Sequence, residues 1–85
     1  MGNYMRLKGK TAIVTGAASG FGAGIARKFS NEGAQVMVAD LNFDGAQKLA
    51  DEIGGVAELC NVAKADSVKA MRDAGLTKFG HIDIL

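Results

Sequence analysis

One stretch of the chain has residue types and spacing suited to holding a phosphate: Thr15-Gly16-Ala17-Ala18-Ser19-Gly20-Phe21-Gly22. Each glycine has a distinct physical job. Gly16 lets the backbone leave a strand in a tight turn, Gly20 puts no side chain between the backbone and a diphosphate, and Gly22 lets the following helix pack close to the sheet. Free N–H groups in the first helical turn, together with the helix dipole, then face the anion. Ser19 can cap that helix or donate to a phosphate oxygen. Neither of two common glycine templates fits. G-x-G-x-x-G started at Gly20 ends on Ile25, and no Gly-Lys-Ser/Thr follows for a P-loop. The pattern that stands is Thr-Gly-x-x-x-Gly-x-Gly. The competing reading is a glycine-rich turn that only permits tight strand–helix packing.

Asp40 is the second anchor, 18 residues beyond Gly22. A carboxylate at the end of a second strand can accept hydrogen bonds from both hydroxyls of an adenosine ribose, and it repels a 2′-phosphate. Ala17, Ala18 and Leu41 supply no Arg or Lys to hold such a phosphate. The cofactor expected is NAD(H) rather than NADP(H), and Asp40→Ala should relax that preference. The competing role for Asp40 is to cap a helix in a β–α loop.

The elements that must position these residues alternate between strand and helix. Thr11-Ala12-Ile13-Val14-Thr15 is a short β-branched run ended by Gly16, and reads as a buried strand. Ser19 to Glu32 reads as a helix with Phe21, Ile25 and Phe29 at i, i+4, i+8, Ala26 widening the stripe and Gly33 at its C-terminal end. Residues 34–39 form a second strand. A helix capped by Asn42 follows, with Asp44 in its first turn and Ala46, Leu49, Ala50 and Ile53 on its apolar face. Residues 56–62 read as a third strand. Asp66 should cap a helix that carries Val68, Met71, Gly75 and Phe79 on one face. Ile82 to Leu85 begins a fourth strand. Such alternation implies βαβ units and a parallel sheet covered on both faces. The expected fold class is α/β, a Rossmann-type doubly wound sheet with strand order 3-2-1-4 and a ligand at the switch between strands 1 and 4.

Composition sets bounds. With 85 residues the chain is one domain at most, read here as residues 1–85 forming the N-terminal part of a single dinucleotide-binding domain. Ten basic against nine acidic residues give a net charge of +1, so neither nucleic acid nor a membrane surface is expected as partner. No apolar run approaches transmembrane length. Met1 to Arg6 lacks the apolar core of a signal peptide, and Arg6 stands where a myristoylation signal needs Ser or Thr. Cys60, the single cysteine, excludes an internal disulfide and fits a reducing, cytoplasmic setting; it reads as a small buried residue. His81 reads as a surface residue, Met5, Met37 and Met71 as core fillers, and the pairs Arg27-Lys28 and Asp51-Glu52 as solvated helix faces. Asp83 reads as a buried hydrogen-bonding or a functional residue. No metal-ligand cluster is evident.

Taken together, Thr15, Gly16, Gly20, Gly22 and Asp40 resemble the short-chain dehydrogenase/reductase family, from about Leu7 to the end of the chain. Phe21 stands where Ile or Leu is commoner in that family. Asn61-Val62 occupies the place of an Asp-Val pair that contacts adenine; Asn61 can still accept from the adenine amino group through its amide oxygen. Residues 79–85 are similar to the family's entry into strand 4. The resemblance implies that Gly16, Ser19, Gly20, Phe21 and Gly22 hold the pyrophosphate and its adjacent ribose. It also implies that Asp40 holds the adenosine ribose and that Leu41, Asn61 and Val62 surround the adenine. It further implies an NAD(H)-dependent oxidoreductase acting on an alcohol or ketone, homo-oligomeric as the full-length parent. The family's catalytic Ser and Tyr-x-x-x-Lys would lie beyond residue 85. Tyr4 and Lys8 have that spacing, but they precede the first strand and lack the required context. The alternatives are a nucleotide-binding module without catalysis and a fragment without activity. As an isolated 85-mer the chain is expected to aggregate or stay partly molten, since its sheet edge and helix faces would lack partners.

Overall fold

In the first strand, β1 (Thr11–Thr15), residues 11–14 are buried, as a β-branched run flanked on both sides should be. The computed structural model describes residues 7–18 and 20–84, so Ser19 and the Tyr4-to-Lys8 spacing fall wholly or partly outside the described residues. Five further elements follow: α1 (Gly20–Asn31), β2 (Gln35–Asp40), α2 (Phe43–Ile53), β3 (Val56–Leu59) and α3 (Ala65–Phe79). The three strands are parallel in the order β1-β2-β3, with Thr11 opposite Gln35 and Met37 opposite Val56.

Period-two alternation divides the core between the two sheet faces. Val14, Val36 and Val38 pack with Ala23 and Ala26 of α1 and with Ala46, Leu49 and Ala50 of α2. Ile13, Met37 and Ala39 pack with Cys60 and with Met71 of α3 on the other face. Helix ends follow the expected chemistry at α2. The Asn42 side chain accepts from the Gly45 N–H, and Gly54 closes the helix in the left-handed region at φ 72°. Gly75 has a use that helix propensity alone hides: a Cβ there would lie 2.9 Å from Ile13 Cδ1, so glycine lets α3 seat against β1.

Four expectations are corrected. Only part of the stripe Phe21, Ile25, Phe29 faces the core: Phe21 is 92% exposed and Ile25 is also exposed, while Phe29 is half-buried against the core and Ala23 and Ala26 are buried in it. The sheet side of α1 is therefore carried mainly by alanines, which let the helix approach closely. The third strand ends at Leu59 rather than Val62. Cys60 still donates its N–H to the Asp40 carbonyl at 3.2 Å, but Asn61 then turns the chain, accepting the Lys64 N–H on its carbonyl and the Ala63 N–H on its side chain. Asp66 does not cap α3. Lys64 occupies that position with no side-chain bond, and Asp66 lies in the first turn, where the helix dipole favours it. At the expected fourth strand, the described residues show one parallel bridge, Ile84 to Ala12, rather than a ladder, on the β1 edge away from β2; Leu85 lies outside the described residues.

Candidate functional site

The turn after β1 is built by glycine conformations. Gly16 and Gly20 adopt φ 65° and 59°, the left-handed region that other residues enter only with strain, and the space where their side chains would project is open. Gly22 does the opposite work. A Cβ there would overlap the Gly16 carbonyl oxygen and lie 2.7 Å from its carbon and 2.9 Å from Ala17 Cα. The packing that Gly22 permits is therefore between α1 and the turn itself. Since the first helical turn has no intrahelical acceptors for its N–H groups, those donors are left at the mouth of the turn.

Asp40 closes β2 beside this turn, and both of its carboxylate oxygens accept backbone N–H groups. Oδ2 accepts from Ala18 at 3.0 Å and Oδ1 from Asn42 at 2.9 Å. The Ala17 N–H donates to the Ala39 carbonyl at 3.3 Å, which extends the β1–β2 ladder into the turn. A carboxylate offers about four acceptor sites, so both oxygens keep capacity for a ligand.

An open pocket of about 120 Å³ is lined by Gly16, Asp40, Leu41, Cys60 and Val62. It joins the C-terminal ends of β1 and β2 to the segment after β3. Four residues expected to bind a nucleotide thus share one concavity, with an acid on one wall and the exposed apolar side chains of Leu41 and Val62 beside it. Asn61 is not part of this lining. Its side-chain oxygen accepts the Ala63 N–H at 3.0 Å, and its own N–H donates to the Ser67 hydroxyl at 2.8 Å. Gly20 and Phe21 border a different, shallow apolar groove along α1, with Gly24, Ile25, Lys28 and Phe29. Cys60 is the lining residue that sequence reading assigned only to packing. The available signal was its place beside Asn61-Val62, at the carboxyl end of a strand.

Two further arrangements lie outside the pocket. Arg27 Nε donates to Glu52 Oε2 at 2.6 Å and Arg27 Nη2 to Oε1 at 3.1 Å, joining α1 to α2 on the exposed face. The hydrogen bond from Arg27 holds the Glu52 carboxyl below the usual glutamate range, and the same bond raises the guanidinium further. At the N-terminal end of β1, Asp83 Oδ2 accepts the Thr11 N–H at 2.9 Å and lies 3.0 Å from His81 Nε2, which is also 3.1 Å from the Gly9 carbonyl. His81 is exposed, as expected, but it has partners that sequence spacing could not reveal.

A family profile described as enoyl-(acyl carrier protein) reductase matches residues 16–85. D-threitol dehydrogenase of Mycolicibacterium smegmatis is 49% identical over 85 aligned residues, covering 94% of this chain and 33% of that protein. The crystal structure of hydroxysteroid dehydrogenase from Escherichia coli matches with TM-score 0.91 and 37% identity, over 95% of this chain and 36% of that one. A 3-ketoacyl-(acyl-carrier-protein) reductase from Brucella melitensis, solved in complex with NADH, matches with TM-score 0.88 and 42% identity, over 92% of this chain and 34% of that one. The chain spans about a third of the length of the relatives it matches.

Proposed function

The chain belongs to the short-chain dehydrogenase/reductase family, and on that premise we propose that it is the NAD(H)-binding N-terminal portion of an oxidoreductase. The parent enzyme would transfer a hydride between the nicotinamide and the carbinol or carbonyl carbon of a small alcohol or ketone. The single observation that carries this reading is the convergence of Gly16, Asp40, Leu41 and Val62 on one pocket beside a turn whose glycines leave open space. The relative solved with NADH supports a nicotinamide cofactor.

In this reading the N–H groups from Gly16 to Gly22, with Ser19, hold the diphosphate, and Phe21 borders the adjacent ribose. Asp40 accepts from the hydroxyls of the adenosine ribose through its remaining lone pairs. Leu41 and Val62 clasp the adenine, with Asn61 at its edge through whatever capacity the Ala63 bond leaves. The nicotinamide, when bound, supplies or takes up the hydride. This chain's residues fix the adenosine end and so set where the ring lies, and the groups that move the proton come from the part of the parent enzyme that the longer relatives possess. The carboxylate of Asp40, with no basic residue at positions 17, 18 or 41, favours NAD(H) over NADP(H). A lone buried thiol at Cys60 fits a cytoplasmic protein. We take the parent to be a homo-oligomer from its family alone.

Fluorescence titration of the full-length parent enzyme with NADH and with NADPH tests the proposal. NADH binding at least roughly tenfold tighter is expected, the cost of placing a phosphate against one carboxylate. Equal affinities would overturn the NAD preference, and no binding of either would overturn the function.

A further inference from the structure

We propose that Asp40 is a positioning residue for the diphosphate turn as well as a ribose acceptor, so that one carboxylate sets the geometry of both halves of the pocket. The inference rests on the nucleotide-binding reading above and goes beyond it in the role given to Asp40. Its basis is the pair of bonds at the carboxylate. Oδ2 holds the N–H of Ala18, in the middle of the β1–α1 turn, and Oδ1 holds the N–H of Asn42, at the entry to α2. Ala18 is 22 positions away from Asp40, so this bond ties the β1–α1 turn to the end of β2 across the chain.

The turn's other restraints do not hold the Ala18 amide. Gly16 and Gly20, with their wide conformational freedom, flank the held residue on either side. Among the described residues, the turn is otherwise anchored by the Ala17 N–H donating to the Ala39 carbonyl, by the burial of Ala17 in the core, by the packing of Ala18 Cβ near Gly45 and by that of Gly22 against Gly16. An ionised acceptor makes the stronger kind of hydrogen bond. Loss of the carboxylate at position 40 therefore frees the Ala18 N–H and lets the turn sample conformations in which its donors no longer converge. Removing Asp40 to admit a 2′-phosphate loosens the diphosphate end at the same time, which is a reason for Asp40→Ala to weaken both cofactors instead of simply changing preference.

The test separates the two roles by using one ligand that reaches the turn and one that does not. Dissociation constants for adenosine and for ADP are measured by calorimetry on the full-length parent enzyme, for the wild type, Asp40→Ala and Asp40→Asn. The same proteins are followed by hydrogen exchange at the Ala18 amide. A ribose role alone costs both ligands the same factor. The expected result is that Asp40→Ala loses roughly fivefold more affinity for ADP than for adenosine, the worth of one ordering hydrogen bond. The Ala18 amide should exchange faster while Val36 and Val38 in β2 keep their protection. Asp40→Asn, which retains one acceptor oxygen, should fall between the wild type and Asp40→Ala, and it serves as the test if Asp40→Ala does not fold. Equal losses for both ligands with unchanged exchange at Ala18 would overturn the positioning role. A wild-type chain that binds neither ADP nor adenosine would instead overturn the nucleotide-binding reading, and the inference with it.

Discussion

The two ends of β1 use the same device to different effect. At each end an aspartate from elsewhere in the chain accepts a backbone N–H: Asp83 takes that of Thr11 at 2.9 Å, and Asp40 takes that of Ala18 at 3.0 Å. At the N-terminal end the arrangement is closed. His81 Nε2 lies within 3.4 Å of Thr11 Oγ1 as well as close to Asp83 and the Gly9 carbonyl, and Thr11 is fully buried. Asp83 and Ile84 also donate their own N–H groups to the Thr11 carbonyl. At the C-terminal end glycines replace such side chains, the space above them is open, and the carboxylate keeps lone pairs to spare. The first end fastens the sheet. The second is held just firmly enough to present donors and acceptors to something else. What separates the two ends is the open space above the glycines and not spare lone pairs, since the recorded contacts of Asp83 both fall on its Oδ2.

Substitutions at each end should therefore fail in different ways. The largest effect is expected from Gly22→Ala. Its methyl group would overlap the Gly16 carbonyl, so the turn or α1 must move. Stability should fall by about 1–3 kcal/mol in urea denaturation, and NADH affinity by an order of magnitude or more as the turn is displaced. Next comes Asp83→Ala, which leaves the buried Thr11 N–H without its side-chain acceptor. A loss of about 1–3 kcal/mol is expected in the same assay, with NADH affinity unchanged in the folded protein. A large loss of affinity there would erase the distinction between the two ends. His81→Ala removes a half-exposed partner of Asp83 and should cost roughly 0.5–1 kcal/mol, again with binding intact.

The smallest effect belongs to Glu52→Gln, far from both ends. The Glu52 carboxyl titrates below the ordinary range because Arg27 donates to it. Its contribution to stability is therefore present above the unfolded value and is lost as the pH falls through the lower folded one. Thermal melting should show a slight deficit for Glu52→Gln at neutral pH that disappears in acid, and added salt should shrink it.

Most of the fold was legible because local chemistry and tertiary packing agree. The β-branched run of β1 and the Asn42 cap each fix an element from a few adjacent residues. The apolar stripe of α1 misled because periodicity reports which residues share a face, and the close seat of this helix gives the sheet side to Ala23 and Ala26. Phe21 and Ile25 line a groove at the surface instead, while Phe29 packs partly against the core as expected. In the site, Gly16, Asp40, Leu41 and Val62 were legible because their types and their places at strand ends carry the chemistry. Bonds between distant residues left no trace in the spacing. The hold of Asp40 on Ala18, that of Asp83 on Thr11 and the meeting of His81 with Gly9 depend on how the strands are brought together.

The most direct measurement is amide chemical-shift mapping of the full-length parent enzyme as NADH is added. The account expects shifts concentrated at Gly16, Ala18, Asp40, Leu41 and Val62, with Thr11 and Asp83 unmoved. Shifts centred on the α1 groove around Ile25 and Phe29, or none at the turn, would contradict it.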